Sequence, residues 1–143
     1  MLDSMSPLAW FAKPDGYIIW YNRRWFEYTG TTIEQMQGWG WKSVQDPKLL
    51  PKVLKQWKTA ITSGHPFEMA FPLRGADGRF REFLTRVYPL KDAEGRVLQW
   101  CGTNSDISEL KQMEYNLANK NEELQNANAL LVSISQELRV SNE

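Results

Sequence analysis

The 143-residue chain has one cysteine, one histidine and no net charge, and each shortage closes a class of function. Cys101 alone excludes an intrachain disulfide and any cysteine-rich metal site. His65, the only imidazole, stands in the Gly/Pro-flanked turn SGHPFE, so no Ser-His-Asp or Cys-His constellation and no metal cluster is predicted. Seventeen basic and seventeen acidic residues cancel, which leaves no global attraction to nucleic acid, membrane or polyanion. No Walker-type phosphate loop is present. The longest apolar run, YIIWY at 17–21, is far too short to span a bilayer. The first ten residues lack the basic and apolar segments of a signal peptide. These absences predict a cytoplasmic, soluble, non-catalytic chain.

One shortage is regional. Residues 106–143 contain no Trp, Pro or Gly, whereas residues 1–105 hold all seven Trp, all seven Pro and all nine Gly. Losing every helix breaker and every indole at one point predicts a compact domain over 1–105 and a helix over 106–143.

Within the first part, LAWFAKPDGYIIWYN reads as two short strands around a Pro-Asp-Gly turn, where Pro pre-sets φ and Gly accepts φ > 0. NRRWFEYTG and TTIEQMQG read as short helices, each ended by a Gly suited to a left-handed cap. From 47 to 63, Leu50, Val53, Leu54, Trp57 and Ile61 follow helical spacing. Lys48, Lys52, Lys55 and Lys58 cover its other side, the pattern of a solvated face. PFEMAFPL, RFREFLTRVYPL and RVLQWCGTN then form a three-strand meander through the turns GADG and DAEG. Two strands, a helical insert and three strands predict an α+β fold, an antiparallel sheet with helices on one face.

The second part begins at Asp106, placed as an N-cap with Glu109 three residues on. Leu110, Leu117, Leu124, Leu131 and Leu138 recur every seven residues, and Met113, Lys120, Ala127, Ile134 and Ser141 fill the companion heptad position. The opposite assignment would put Glu114, Asn121, Asn128 and Ser135 in the seam. A stripe this narrow over more than four heptads predicts a coiled coil, with Lys120 and Ser141 as weak points. A polar helix of this length needs a partner, most simply a second copy. The predicted seam is Leu110, Met113, Leu117, Leu124, Leu131, Ile134 and Leu138.

From about Pro7 to Leu110 the chain resembles a PAS sensory domain followed by the short PAC motif. The resemblance rests on DGYIIWYN, NRRWFEYTG, TIEQMQGWGW, GADGRFREFLTRVYPLKDAEGRV and WCGTNSDIS, in that order. The last piece is similar to the family's Gly-x-x-x-Asp-Ile-Thr ending, with Ser108 in place of Thr. The resemblance implies a five-stranded antiparallel sheet of order 2-1-5-4-3 and a C-terminal signalling helix as in sensor histidine kinases. It implies an input role in a longer two-component receptor or cyclase, with an effector domain downstream in the same chain. It also implies that Asp106 couples domain to helix with Ser108, pairing with a basic residue on the sheet, for which Arg81 and Arg86 are both candidates. SISQELR near the end loosely resembles the phosphoacceptor box of histidine kinases, but Gln136 stands where the His belongs, so it reads as more coil.

Cofactor expectations follow from the same comparison. Haem-binding relatives use a His from the helical segment, and His65 lies beyond it. The light-oxygen-voltage branch carries Asn-Cys-Arg-Phe-Leu-Gln after the helical Gly. Here GWGWKSVQ follows, and spacing from Gly38 puts Trp41 at the reactive-Cys position. Haem and flavin are therefore not expected, which leaves an unidentified small molecule or no ligand. Alternation puts Met69, Phe71 and Leu73, then Phe83, Thr85 and Val87, then Leu98, Trp100, Gly102 and Asn104 each on one face of their strand, and the resemblance implies that these faces point inward, covered by Trp25, Tyr28 and Trp41. Either these line a ligand pocket or the aromatics fill the core. The other sheet face, with Glu82, Leu84, Arg86, Tyr88, Val97 and Cys101, suits packing against a partner domain or helix.

Overall fold

The computed structural model of the protein describes residues 6–141. β1 (Leu8–Ala12) and β2 (Ile18–Tyr21) form a hairpin closed by Pro14-Asp15-Gly16. Asp15 Oδ1 accepts the Tyr17 N–H at 3.0 Å, and Gly16 takes φ 95°, as the turn chemistry predicts. α1 (Arg23–Thr29) is capped by the Asn22 side chain on Trp25 N–H and stopped by Gly30 at φ 69°. α2 (Ile33–Met36) opens with a full capping box between Thr32 and Gln35. A 3₁₀ turn over Gly40–Val44 follows, an element the apolar pattern does not announce.

α3 runs over Leu50–Ser63, three residues later than the spacing predicts. Asp46 accounts for the difference: its carbonyl accepts the N–H groups of Leu49 and Leu50, holding 46–49 in a turn. Pro51 then fits the first helical turn, where its missing N–H costs nothing. Val53, Trp57 and Ala60 are buried on its inner face, and Lys48, Lys52, Lys55 and Lys58 are exposed.

β3 (Phe67–Arg74), β4 (Phe80–Lys91) and β5 (Val97–Asp106) complete the sheet, in the order β2-β1-β5-β4-β3 with every pairing antiparallel. The fold class and strand order expected from sequence are those observed. Leu73, Phe83, Thr85, Val87, Trp100, Gly102 and Asn104 face the core as alternation predicts. Leu98 does not: it is 54% exposed, whereas Val97, expected on the outer face, packs against the core. The cause is a register shift, with Leu90 opposite Gln99 but Lys91 opposite Val97, so that Leu98 is the extra residue of a bulge.

Trp57 sits at the centre of the core, edge-on to Trp10 (5.7 Å between rings) and Trp100 (5.4 Å). Trp10 lies across β5 at Gly102, its register partner, where a Cβ would run into the indole ring. A glycine is needed there for close approach and not for its backbone angles.

The chain divides into two compact units, the second beginning at Glu109. α4 (Ser108–Ser141) is one 34-residue helix, about 51 Å long at 1.5 Å per residue. Leu110, Met113, Leu117, Leu124, Leu131, Ile134 and Leu138 are all exposed along it. The Ser141 side chain lies outside those described.

A candidate sensory core and its exit strand

The sheet, α1, the 3₁₀ turn and α3 line a partly open cavity of about 40 Å³. Of the residues expected to line a pocket, Trp25, Trp41, Phe71, Thr85 and Asn104 do so. Tyr28, Met69, Phe83 and Trp100 do not. Tyr28 and Phe83 pack edge-to-face on each other at 4.9 Å, Trp100 packs under Trp57 with its N–H given to the Pro14 carbonyl, and Met69 packs half-buried against the core. Ile18, Val53, Phe67 and Val87 also line it, as do Trp10, Gln45 and Trp57, none of which was expected as a pocket residue. Trp10 was legible from its alternation with Leu8 and Ala12, and Trp57 from its helical stripe. Gln45, 5% exposed, follows the 3₁₀ turn, and no sequence signal marks it.

One wall of the cavity is a hydrogen-bonded chain. Trp10 Nε1 donates to Asn104 Oδ1 at 2.9 Å, and Asn104 Nδ2 donates to Thr85 Oγ1 at 2.6 Å. This ties β1, β5 and β4 through buried polar atoms, a fully paired arrangement that fixes the register of all three strands. Burial raises the phenol pKa of Tyr21, whose O–H donates to the Met36 carbonyl at 2.7 Å.

Two residues beyond Asn104 the strand ends at Asp106. Ile107 N–H continues the ladder to Glu82 O at 3.0 Å, and Asp106 Oδ1 accepts the Ser108 N–H at 2.8 Å. Asp106 therefore accepts the first N–H of α4 by a bond to the residue two ahead; because the helix starts at Ser108, the N-cap position falls on Ile107 and not on Asp106 as expected. Among the described residues Glu109 makes no return bond, so the expected reciprocal box is absent.

The expected ion pair between Asp106 and a sheet arginine is also absent among the described residues. Arg81 instead grips Asp77 with both guanidinium nitrogens (2.6 and 3.2 Å), and Arg86 pairs with Glu68 at 3.0 Å. The reason is proximity: the tight turn after β3 puts Asp77 four residues from Arg81, and Glu68 is the β3 register partner of Arg86. The Asp77 carboxyl is held down to about 2, first by Arg81 and then by the Arg79 N–H. Arg81 also lies over the Tyr28 ring at 5.8 Å, and Tyr28 O–H donates to the Leu73 carbonyl at 2.6 Å. Burial raises the Tyr28 pKa, with Arg81 opposing. Arg81 thus joins α1 to the β3–β4 hairpin.

His65 is exposed in the loop after α3. Among the described residues no three His, Cys, Asp or Glu stand close enough to hold a metal ion. Among the described residues no helix is long and apolar enough to cross a membrane.

The sequence profile of the PAS fold family matches residues 2–112, and the chain belongs to that family. It is 30% identical over 113 residues to the uncharacterized protein y4lL of Sinorhizobium fredii, covering 78% of this chain and 14% of that protein. It is also 30% identical over 118 residues to the peroxide stress-activated histidine kinase mak1 of Schizosaccharomyces pombe, covering 82% of this chain and 7% of the kinase. The chain therefore spans a small fraction of the length of these relatives. Solved structures of the same fold include an RNA-binding light-oxygen-voltage receptor (TM-score 0.68, 19% identity, 83% of this chain and 35% of that one). They also include the Aureochrome1 LOV domain (TM-score 0.63, 23% identity, 83% and 93%). A third is the N-terminal domain of a diguanylate cyclase with PAS/PAC sensor from Marinobacter aquaeolei (TM-score 0.66, 16% identity, 74% and 99%). At these identities the likeness is one of fold. A further similar structure is a light-oxygen-voltage domain studied with a flavin analogue (TM-score 0.63, 19% identity, 82% of this chain and 89% of that one).

Proposed function

We propose that this PAS domain is the cytoplasmic input or relay segment of a longer receptor, non-catalytic in itself. In this reading the chain pairs with a second copy through α4, and a downstream effector, most simply a histidine kinase, reads changes in the PAS core. The observation that carries it is covalent continuity. Asn104 is in the cavity wall, Asp106 ends β5 and accepts the first N–H of α4, and Ser108 begins the helix, so three residues separate core from output element. A shift of β5 that follows the state of the core changes the first turn of α4, a two-state element of the kind signalling requires. The PAC-like ending WCGTNSDIS and the five leucines spaced seven apart support the same reading. The histidine kinase among the relatives and the diguanylate cyclase among the similar folds support a signalling context.

Flavin is not part of the proposal. Trp41 stands in the wall of the cavity, and about 40 Å³ is far below the roughly 300–1,000 Å³ of pockets that take cofactor-sized ligands. The same small volume favours a second reading, a PAS module that associates and relays a signal sensed elsewhere. Fusing the chain to a histidine-kinase catalytic region and measuring autophosphorylation tests the relay. Asp106→Ala should change output with the PAS core still folded, and normal output with and without stimulus would make the join a passive linker.

A further inference from the structure

The surface cations of the PAS unit include two contrasting groups. Arg23, Arg81, Arg86 and Arg96 each pair with an acid of the same chain, at 2.6 to 3.2 Å. Lys48, Lys52, Lys55 and Lys58 are exposed and join no ion pair among the described residues. The sequence supplies the cause, because residues 47–67 hold no Asp or Glu. Asp46, just before them, turns its carboxylate to the Lys48 backbone N–H at 3.0 Å. This arrangement works against the helix that carries it. Lys52 lies in the first turn of α3, at the positive end of the helix dipole, and that turn has no acidic residue. Lys52, Lys55 and Lys58 follow at intervals of three, so their like charges are surface neighbours. Glu at any of these positions would serve solubility equally well and favour the helix. A surface that breaks the local rules of stability with no gain to its own fold is expected where a partner supplies the gain.

We propose that the outer face of α3 docks a helix of a partner protein that presents carboxylates three or four residues apart. The charges are complementary and the lengths agree: Lys52 to Lys58 spans about 9 Å at 1.5 Å per residue, the reach of a carboxylate row on two helical turns. From Lys52 to Ser63 the other exposed residues are Gln56, Thr59, Thr62 and Ser63. With no aromatic ring among them, the face has no stacking platform for single-stranded nucleic acid. With no large apolar side chain, it has nothing to bury in a bilayer surface. The Lys52 and Val53 N–H groups both bond to the Leu49 carbonyl, so the backbone offers no cradle for a small free anion. The site goes beyond the relay reading and does not depend on it.

The experiment titrates the full chain into a fluorescein-labelled helical Glu/Ala peptide at low salt and reads anisotropy. The same peptide broken by central prolines, a labelled oligothymidylate, and phosphatidylserine vesicles read by sedimentation are the comparison probes. The helical peptide should bind saturably and more tightly than any of these. Lys52→Gln/Lys55→Gln/Lys58→Gln should weaken it about tenfold, the combined effect of three exposed ion pairs. Lys111→Gln/Lys120→Gln on α4 should leave it unchanged. Lys52→Glu should weaken binding and raise the urea midpoint of the PAS unit, because the lysine opposes its own helix; a merely structural lysine would lower that midpoint. No binding of the helical peptide, equal or tighter binding of a comparison probe, a triple variant that binds as well as the wild type, or a lowered midpoint in Lys52→Glu would overturn the proposal.

Discussion

The PAS unit and α4 use similar apolar residues to opposite ends. In the PAS unit Trp25, Trp100, Phe83, Leu8 and Leu73 are almost fully buried, and chain-distant strands pair through them. Along α4 every seam residue from Leu110 to Leu138 is exposed, with Ile134 the least so at 44%. The difference lies in the period. Alternation by two and spacing by three and four put apolar groups against other parts of the same chain, whereas spacing by seven gives a stripe too narrow for anything but a similar stripe. A region of the first kind supplies its own core. A region of the second kind leaves its stripe uncovered within its own chain, and in the proposed reading a partner helix covers it.

The sharpest way to break this contrast is to damage the core alone. Trp100→Ala removes a fully buried indole that packs on Trp57 and bonds to Pro14. It should lower the stability of the PAS unit by about 3–5 kcal/mol, read from a shifted urea midpoint in tryptophan fluorescence. A shift no larger than that of a surface substitution would mean that the indoles are not the main support of the core.

Gly102→Ala asks a narrower question about the same region. The added methyl meets the Trp10 indole, so overpacking should cost about 1–3 kcal/mol. Because Trp10 would be pushed off Asn104, its indole N–H should also exchange faster with solvent. Unchanged exchange would show that the strand accommodates the methyl without moving the ring.

Asp106→Ala acts where the two regions meet. Losing the carboxylate that caps the Ser108 N–H should cost about 0.5–2 kcal/mol, enough to loosen the first turn of α4 and too little to unfold the core. Hydrogen exchange should rise at residues 108–111 and stay constant at Asn104. Equal protection in the variant would remove Asp106 as the coupling residue.

The smallest effect belongs to pH. The Asp77 carboxyl has a folded-state pKa of about 2, below its ordinary 3.8, and Arg81 is the main cause. A depressed pKa means that the ionised form favours the folded hairpin above the ordinary value, and that this support is lost as pH falls through the folded value. Exchange protection of the β3–β4 hairpin should therefore be flat from neutral pH to about pH 4 and fall between there and pH 2. A transition near pH 6 would assign the behaviour to another group.

Much of this architecture was legible in the residues, and the exceptions share a cause. Strand alternation, turn chemistry and the loss of Trp, Pro and Gly after residue 105 report local forces, and the sheet order, the inward faces and the long helix follow them. What depends on which distant groups meet was not legible. Leu98 points outward because its hairpin contains a bulge. Arg81 and Arg86 are taken by Asp77 and Glu68, so Asp106 accepts the first N–H of α4 and pairs with neither. Gln45 reaches the cavity because a 3₁₀ turn, unmarked by any apolar period, delivers it there. Five of the nine expected pocket residues line the cavity, and the other four are buried or half-buried elsewhere in the core. Alternation fixes the face a side chain takes, not its position along that face.

The central claim is that α4 carries association while the PAS unit folds alone. Light scattering with detection of mass, on the full chain and on a chain ending after Leu110, tests it most directly. The account predicts a dimer for the full chain and a folded monomer for the shortened one. A shortened chain that dimerises as tightly as the full chain would contradict it, moving the interface onto the PAS domain.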